Sequence, residues 1–113
     1  MAATPLLDQH CQRDVTRLGT EAAQELMQQL HDDWSLSGDV QHIRRNFRFK
    51  NYYQTISFVN ALAWIAHQED HHPDLEVGYN RCLVSFSTHS VGGLSANDFI
   101  CAARVDTLLP ASD

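Results

Sequence analysis

The chain has 113 residues, of which 43% are apolar and 19% charged; that balance excludes a disordered or membrane-embedded polypeptide and suffices for one hydrophobic core but not for two. Fourteen acidic residues against eight basic give a formal net charge of −6, a field that repels phosphate backbones, so direct nucleic-acid binding is not expected. Cys11, Cys82 and Cys101 are odd in number, widely spaced and form no C-x-x-C, which argues against a disulfide framework and against a zinc knuckle and points to three reduced thiols.

The opening stretch Met1-Ala2-Ala3-Thr4-Pro5-Leu6-Leu7-Asp8 lacks the positive start and apolar core of a secretion signal, and no later run has the length of a membrane span, so a cytoplasmic location without membrane attachment is expected. Residues 1–17 mix Pro5, charges and a few apolar side chains without a sustained period. They read as a tail or loosely packed arm with no evident chemistry; the single domain is expected over 18–113. From Thr20 a helix is predicted, with Thr20 as its cap, Glu21 in the positive first turn, and Ala23, Leu26, Met27 and Leu30 on one face. His31-Asp32-Asp33 ends it.

A short strand is predicted from Trp34, followed by a turn at Ser37-Gly38-Asp39. From His42 to Lys50 the chain alternates: Ile43, Phe47 and Phe49 point one way, while His42, Arg44, Asn46, Arg48 and Lys50 point the other. Period two means a strand with one buried face, hairpin-paired to its predecessor. Arg45 interrupts the apolar side, so that face is not wholly dry. The basic row reads as a solvated outer face on an edge strand rather than as an anion-binding surface.

The longest helix is predicted from Tyr52 to about Asp70. Tyr52, Ile56, Val59, Ala63 and Ala66 form its stripe, Phe58, Leu62 and Ile65 widen it, and Trp64 falls on the wet arc. Pro73 forbids helix beyond His72. Leu75, Val77 and Tyr79 then alternate as a brief strand, and Cys82, Val84, Phe86 and Thr88 form the inner side of another, with His89 at its exit. Gly92-Gly93 permits a close approach, and Ser95-Ala96-Asn97-Asp98 is an acidic capping box opening a last helix with Phe99, Ile100, Ala103 and Leu108 inside. This order describes a two-layer α+β domain, a four-stranded antiparallel or mixed sheet with three helices packed on one face. Its sheet edge or open face makes a homo-oligomer an expectation.

The chemistry centres on His71-His72-Pro73 and on His89. Histidine changes charge near neutral pH without environmental help, so imidazoles converging on one hollow can give and take protons there. His10, His31 and His42 belong to no such pattern and read as structural or exposed. The string Asp70-His71-His72-Pro73, then Tyr79-Asn80, Ser87-Thr88-His89, Gly93-Leu94-Ser95 and Asp98, resembles the pterin-4a-carbinolamine dehydratases. The likeness extends upstream through Trp34, Phe47, Phe49 and the helix starting near Tyr52, about residues 18–108 in all.

The resemblance implies an enzyme that dehydrates 4a-hydroxytetrahydropterin to quinonoid dihydropterin in tetrahydrobiopterin recycling, linked in function to an aromatic amino-acid hydroxylase and assembled as a dimer or tetramer. It makes His71 and His89 the acid/base pair, places His72 and Pro73 against the pterin, and assigns Asp98 to the substrate site. No metal or organic cofactor is implied. Asp98 has a second reading as the carboxylate of the capping box alone. The chain departs from the family pattern at His67, where a glutamate is usual; Glu69 lies roughly 200° around a helix from it and cannot take its place. Two other readings stay open. His67 and His71, four apart, could hold a metal with His89 or Glu69 as third ligand. A non-enzymatic binding module is the other, because animal members of the family also act as dimerisation partners of a homeodomain transcription factor.

Overall fold

The computed structural model describes residues 4–109. Its regular elements are α1 (Thr20–Met27), β1 (Ser35–Leu36), β2 (Ile43–Arg48), α2 (Tyr52–Glu69), β3 (Asp74–Val77), β4 (Arg81–Phe86) and α3 (Ala96–Asp106), with short 3-10 turns at Leu6–Asp8 and His89–Val91. The strands form one fully antiparallel sheet in the order β1-β2-β4-β3. Along β2 burial strictly alternates, with Ile43, Arg45 and Phe47 buried and Arg44, Asn46 and Arg48 exposed. In β4 the buried set is Cys82, Val84 and Phe86. Register places Ile43 opposite Phe86, Arg45 opposite Val84 and Phe47 opposite Cys82, so one face of the sheet is apolar and carries the three helices. Among the described residues no helix is long and apolar enough to cross a membrane.

Four details differ from the sequence expectation. Gly19, not Thr20, precedes the first helical residue of α1, and no side chain caps that end. The basic strand β2 is interior: β1 pairs with it at Ile43 and Arg44, and β4 pairs along its whole length. β1 covers only two residues of β2, so among the described residues no strand pairs with that side of β2 beyond Arg44. In α2 the inward row is Thr55, Phe58 and Leu62, whereas Tyr52 and Ala63 are exposed. Both rows have helical spacing, and periodicity alone does not choose between them. Tyr79 lies in the β3–β4 turn, exposed and stacked on Tyr52 with ring centroids 6.4 Å apart.

Of the arm expected to pack loosely over 1–17, residues 4–17 lie within the described structure and pack against the domain. Leu6 is buried, its amide donates to Gln29 Oε1 at 2.9 Å, and the Cys11 amide donates to Glu69 Oε1 at 2.7 Å. Tertiary hydrogen bonds hold a segment that has no periodicity of its own.

Arg45, the interruption on the inner face, is explained by Asp106. One oxygen of Asp106 accepts from Arg45 Nη1 at 2.8 Å and from the Trp34 indole at 2.7 Å, and the other accepts from the His31 amide at 3.1 Å. The guanidinium also lies 4.2 Å from the Phe47 ring centroid. A carboxylate in the last turn of α3 opposes the helix dipole, so the retained residue is accounted for by these three bonds. Asp106→Ala leaves the indole N–H without its acceptor and the nearly buried guanidinium with only the 3.9 Å contact to Asp33; a loss of about 2–4 kcal/mol is expected in urea denaturation.

Candidate active site

Three chain segments meet at the C-terminal end of α2. The helix stops in a Schellman motif: Asp70 takes the left-handed conformation (φ 53, ψ 42), its amide returns to the His67 carbonyl, and the His71 amide returns to the Ala66 carbonyl at 3.1 Å. His71 is thus set by the helix end itself, two residues before Pro73. Beyond β4, Thr88 forms a bridge with Gly93 around the His89–Val91 turn. Gly93 lets the Arg17 side chain lie close: a Cβ there would sit 2.9 Å from Arg17 Nε, and that side chain would have to shift. Ser95 and Asp98 then cap α3 reciprocally, with Asn97 N donating to Ser95 Oγ at 3.2 Å and Ser95 N donating to Asp98 Oδ2 at 3.0 Å.

Asp98 joins these segments. Its side chain is 0% exposed; Oδ1 lies 2.6 Å from His71 Nε2, and Oδ2 accepts from Thr88 Oγ1 at 2.7 Å. Thr88 Oγ1 in turn accepts from Ser95 Oγ at 2.8 Å, because its own proton goes to Asp98. A carboxylate only accepts, so His71 carries its proton on Nε2. Nδ1 has no hydrogen-bond partner among the described residues and is the ring atom left to exchange protons. The imidazole also lies nearly parallel to the Phe86 ring, with centroids 6.0 Å apart and an interplanar angle of 12°.

His71 lines a cavity of about 420 Å³, walled by Thr88, Ser90, Asn97, Gln68, Glu69 and Asp70 and, from the N-terminal arm, by Cys11, Gln12, Arg13 and Val15. The size suits a small heterocycle. A wider hollow of about 740 Å³ lies elsewhere, along the end of β2. Its one imidazole–carboxylate contact, His31 to Asp33, is 3.8 Å long and largely open to solvent, so volume does not select the site.

The arm is seated by charged and amide groups. Glu69 accepts from the Cys11 amide at 2.7 Å, lies 2.9 Å from His10 Nδ1 and pairs with Arg104 at 3.5 Å. Asn97 is bonded in both directions to the Gln12 backbone, at 3.0 and 2.8 Å. Burial by itself would push the Glu69 carboxyl up, but the Cys11 amide, the His10 ring and the Arg104 cation outweigh it and hold the carboxyl below the usual range.

Of the residues expected from sequence, His71 and Asp98 are brought into direct contact. His89 is exposed on its 3-10 turn and is not part of the wall of the His71 cavity, although its neighbours Thr88 and Ser90 are. His72 is exposed, and Pro73 is half-buried beside it. Asp98 faces no cavity, because both its oxygens are engaged by protein. The alternative metal ligands are not gathered: His67 packs against Trp64 at 6.0 Å, Glu69 holds the arm, and among the described residues no three His, Cys, Asp or Glu side chains form a ligand set. The positioning roles of Thr88, Asn97 and Glu69 are not evident from the sequence. Thr88 lay within a recognised motif, whereas the partners of Asn97 and Glu69 lie 85 and 58 residues away and leave no local signal.

Fold and site together define a two-layer α+β protein whose longest helix delivers a carboxylate-held histidine to the end of the sheet. The family model described as pterin 4 alpha carbinolamine dehydratase matches residues 16–108. Proteins named "Putative pterin-4-alpha-carbinolamine dehydratase" from Nitrosomonas eutropha and Legionella pneumophila are 58% and 52% identical to this chain, each over 99 residues. These matches cover 88% of this chain, and 86% and 88% of those relatives respectively. Among solved structures, a transcriptional coactivator/pterin dehydratase from Brucella melitensis superposes with a TM-score of 0.79 at 29% identity, covering 84% of this chain and all of that one. A pterin dehydratase-like RuBisCO assembly factor of the alpha-carboxysome gives 0.59 at 28% identity, over 69% of this chain and 90% of its own. The chain belongs to the pterin 4 alpha carbinolamine dehydratase family, a family of hydro-lyases.

The depressed carboxyl of Glu69 has a defined pH signature. Its contribution to stability is present above the unfolded value of about 4.3 and is lost as pH falls through the lower folded value. Glu69→Gln is therefore expected to be about 1–2 kcal/mol less stable than wild type at neutral pH, with the difference shrinking below about pH 4 in urea titrations at stepped pH.

Proposed function

We propose that the protein dehydrates a 4a-hydroxytetrahydropterin to the quinonoid dihydropterin, with His71 as a general acid/base group oriented by Asp98. The carrying observation is the 2.6 Å contact between His71 and a fully buried carboxylate at the wall of a cavity. In the reaction the nitrogen lone pair next to the hydroxyl-bearing carbon forms a C=N bond as the C–O bond breaks, and the departing oxygen takes a proton to leave as water. The resulting iminium then gives up its N–H proton to a base. Each assisted proton transfer contributes on the order of 10²–10⁴-fold, and the lone pair supplies the electronic push.

His71 Nδ1 takes one of these roles. His89, flanked in sequence by Thr88 and Ser90 of the cavity wall, takes the other, and His72 and Pro73 shape the rim. In this reading Asp98 is a positioning residue that fixes the His71 tautomer, not a substrate contact. The reading carries with it a cytoplasmic setting, pterin recycling and a functional link to an aromatic amino-acid hydroxylase. With chemically generated 4a-carbinolamine in a stopped-flow assay, His71→Ala is expected to lower kcat by about 10²-fold or more; wild-type rates in this variant would remove His71 from the mechanism.

We also propose that the chain self-associates. Apolar surface of α2 is left in solvent: Tyr52 and Trp64 are 48% and 63% exposed, and Ala63 is also exposed, whereas Ile56, Val59 and Ala66 are half-buried. At the β3 edge Val77 is exposed as well. A monomer gains nothing by leaving this surface in water, whereas a second copy would bury it. The alternative occupant of this surface is a different protein; two solved relatives are described as a transcriptional coactivator/pterin dehydratase and as a RuBisCO assembly factor. Sedimentation of the purified chain is expected to give a dimer or tetramer that Trp64→Glu shifts to smaller species; a wild-type monomer would leave the surface to another partner.

A further inference from the structure

Two thiols that the proposed chemistry does not use lie against the His71 cavity. Cys11, on the arm, and Cys101, buried in α3, are 90 residues apart in sequence, yet their sulfurs are 3.5 Å from one another. Cys11 is half-buried and lines the cavity, with Sγ 3.6 Å from the Asn97 carbonyl. Cys101 Sγ lies 3.7 Å from the His71 carbonyl. A disulfide bond of about 2.05 Å therefore requires the sulfurs to close by about 1.5 Å. Cys11 can supply that movement, because its segment belongs to no regular element and is seated by the Cys11 and Gln12 amides donating to Glu69 and Asn97. Cys82, the third cysteine, is sealed under the sheet in β4, opposite Phe47.

We propose that Cys11 and Cys101 are a reversible oxidation site, a dithiol that a low-molecular-weight disulfide converts into an intramolecular disulfide cross-linking the arm to α3 at the wall of the His71 cavity. The Cys11 thiolate attacks one sulfur of the small disulfide and releases one small thiolate, leaving a mixed disulfide on Cys11. The Cys101 thiol, giving up its proton, attacks the Cys11 sulfur and expels the second. The two protein protons pass to the two released thiolates, so two protein thiols are oxidised and one small disulfide is reduced to two thiols.

Access is gated by the arm. While it is seated, the Cys101 contact, burial and the Glu69 carboxylate all push the Cys11 thiol up and suppress its thiolate. When the arm lifts away from Glu69, Cys11 meets solvent as an ordinary thiol and reacts. Reseating then carries the mixed disulfide to Cys101. Attack is accordingly slow in the native state and speeds up when the arm is loosened, as by Glu69→Gln. The closed disulfide spans a loop of about 90 residues and ties down a segment that hydrogen bonds alone now hold.

The test uses the full chain and oxidised glutathione, with no assay of pterin chemistry, so it stands or falls separately from the dehydratase reading. Treated protein is expected to lose the mass of two hydrogens, to fall from three free thiols to one, and to yield a linked Cys11–Cys101 peptide that dithiothreitol resolves. Trypsin cleavage after Arg13, read on reducing gels, is expected to slow by about tenfold or more in the oxidised form, because local opening of the arm is restricted. Cys101→Ser should abolish both effects; where that buried change impairs folding, Cys11→Ser on the arm provides the same control. A persistent glutathione adduct, a link between chains, a bond involving Cys82, or three free thiols after treatment would overturn the proposal.

Discussion

A single buried carboxylate organises this molecule. Asp98 has no contact with solvent, and its two oxygens are shared among the His71 ring, the Thr88 hydroxyl and the Ser95 amide. An unpaired carboxylate at that depth would be strongly unfavourable, so the partners must arrive together for the charge to be tolerated. The N-terminus of α3 assists, since its dipole favours negative charge there. The end of α2, the exit of β4 and the start of α3 therefore depend on one another, although none is adjacent to all the others along the chain.

From that constraint the placement of His71 follows. The bond to Asp98 occupies Nε2 and specifies the tautomer, the Phe86 ring restrains the plane, and the Schellman motif fixes the backbone from which the side chain projects. Pro73 adds a second barrier to helix continuation, but the helix has already ended at Glu69. The histidine is thus held by covalent geometry on one side and by a charged hydrogen bond on the other, which is how a rigid element can present a reactive group. His67 packs with Trp64 on the outside of α2 and takes no part in this arrangement.

The arm completes the site by a second carboxylate. Glu69, the last residue of α2, collects the Cys11 amide, the His10 ring and the Arg104 guanidinium, and Asn97, one residue before Asp98, holds the Gln12 backbone. The helix that delivers His71 and the helix that holds it both reach out to the same segment, so the cavity has a wall that no periodic element supplies.

Local rules account for what was legible beforehand. Period two in Ile43–Arg48, the apolar 3.6 period of Tyr52–Glu69, the helix stop before Pro73 and the Ser95–Asp98 box are decided by neighbours within a few residues, and each appears where the sequence places it. The His71-His72-Pro73 and Ser87-Thr88-His89 motifs likewise indicated the family, and the family model and relatives agree. Helical spacing could not say which of two apolar rows on α2 faces the core, whether the buried Arg45 would find Asp106, or which histidine Asp98 would hold. Nor could it show that an arm without periodicity would pack. These choices rest on pairings across 27 to 90 residues; one-dimensional spacing carries no distance information at that range, and only folding the helices onto one face of the sheet brings the partners together.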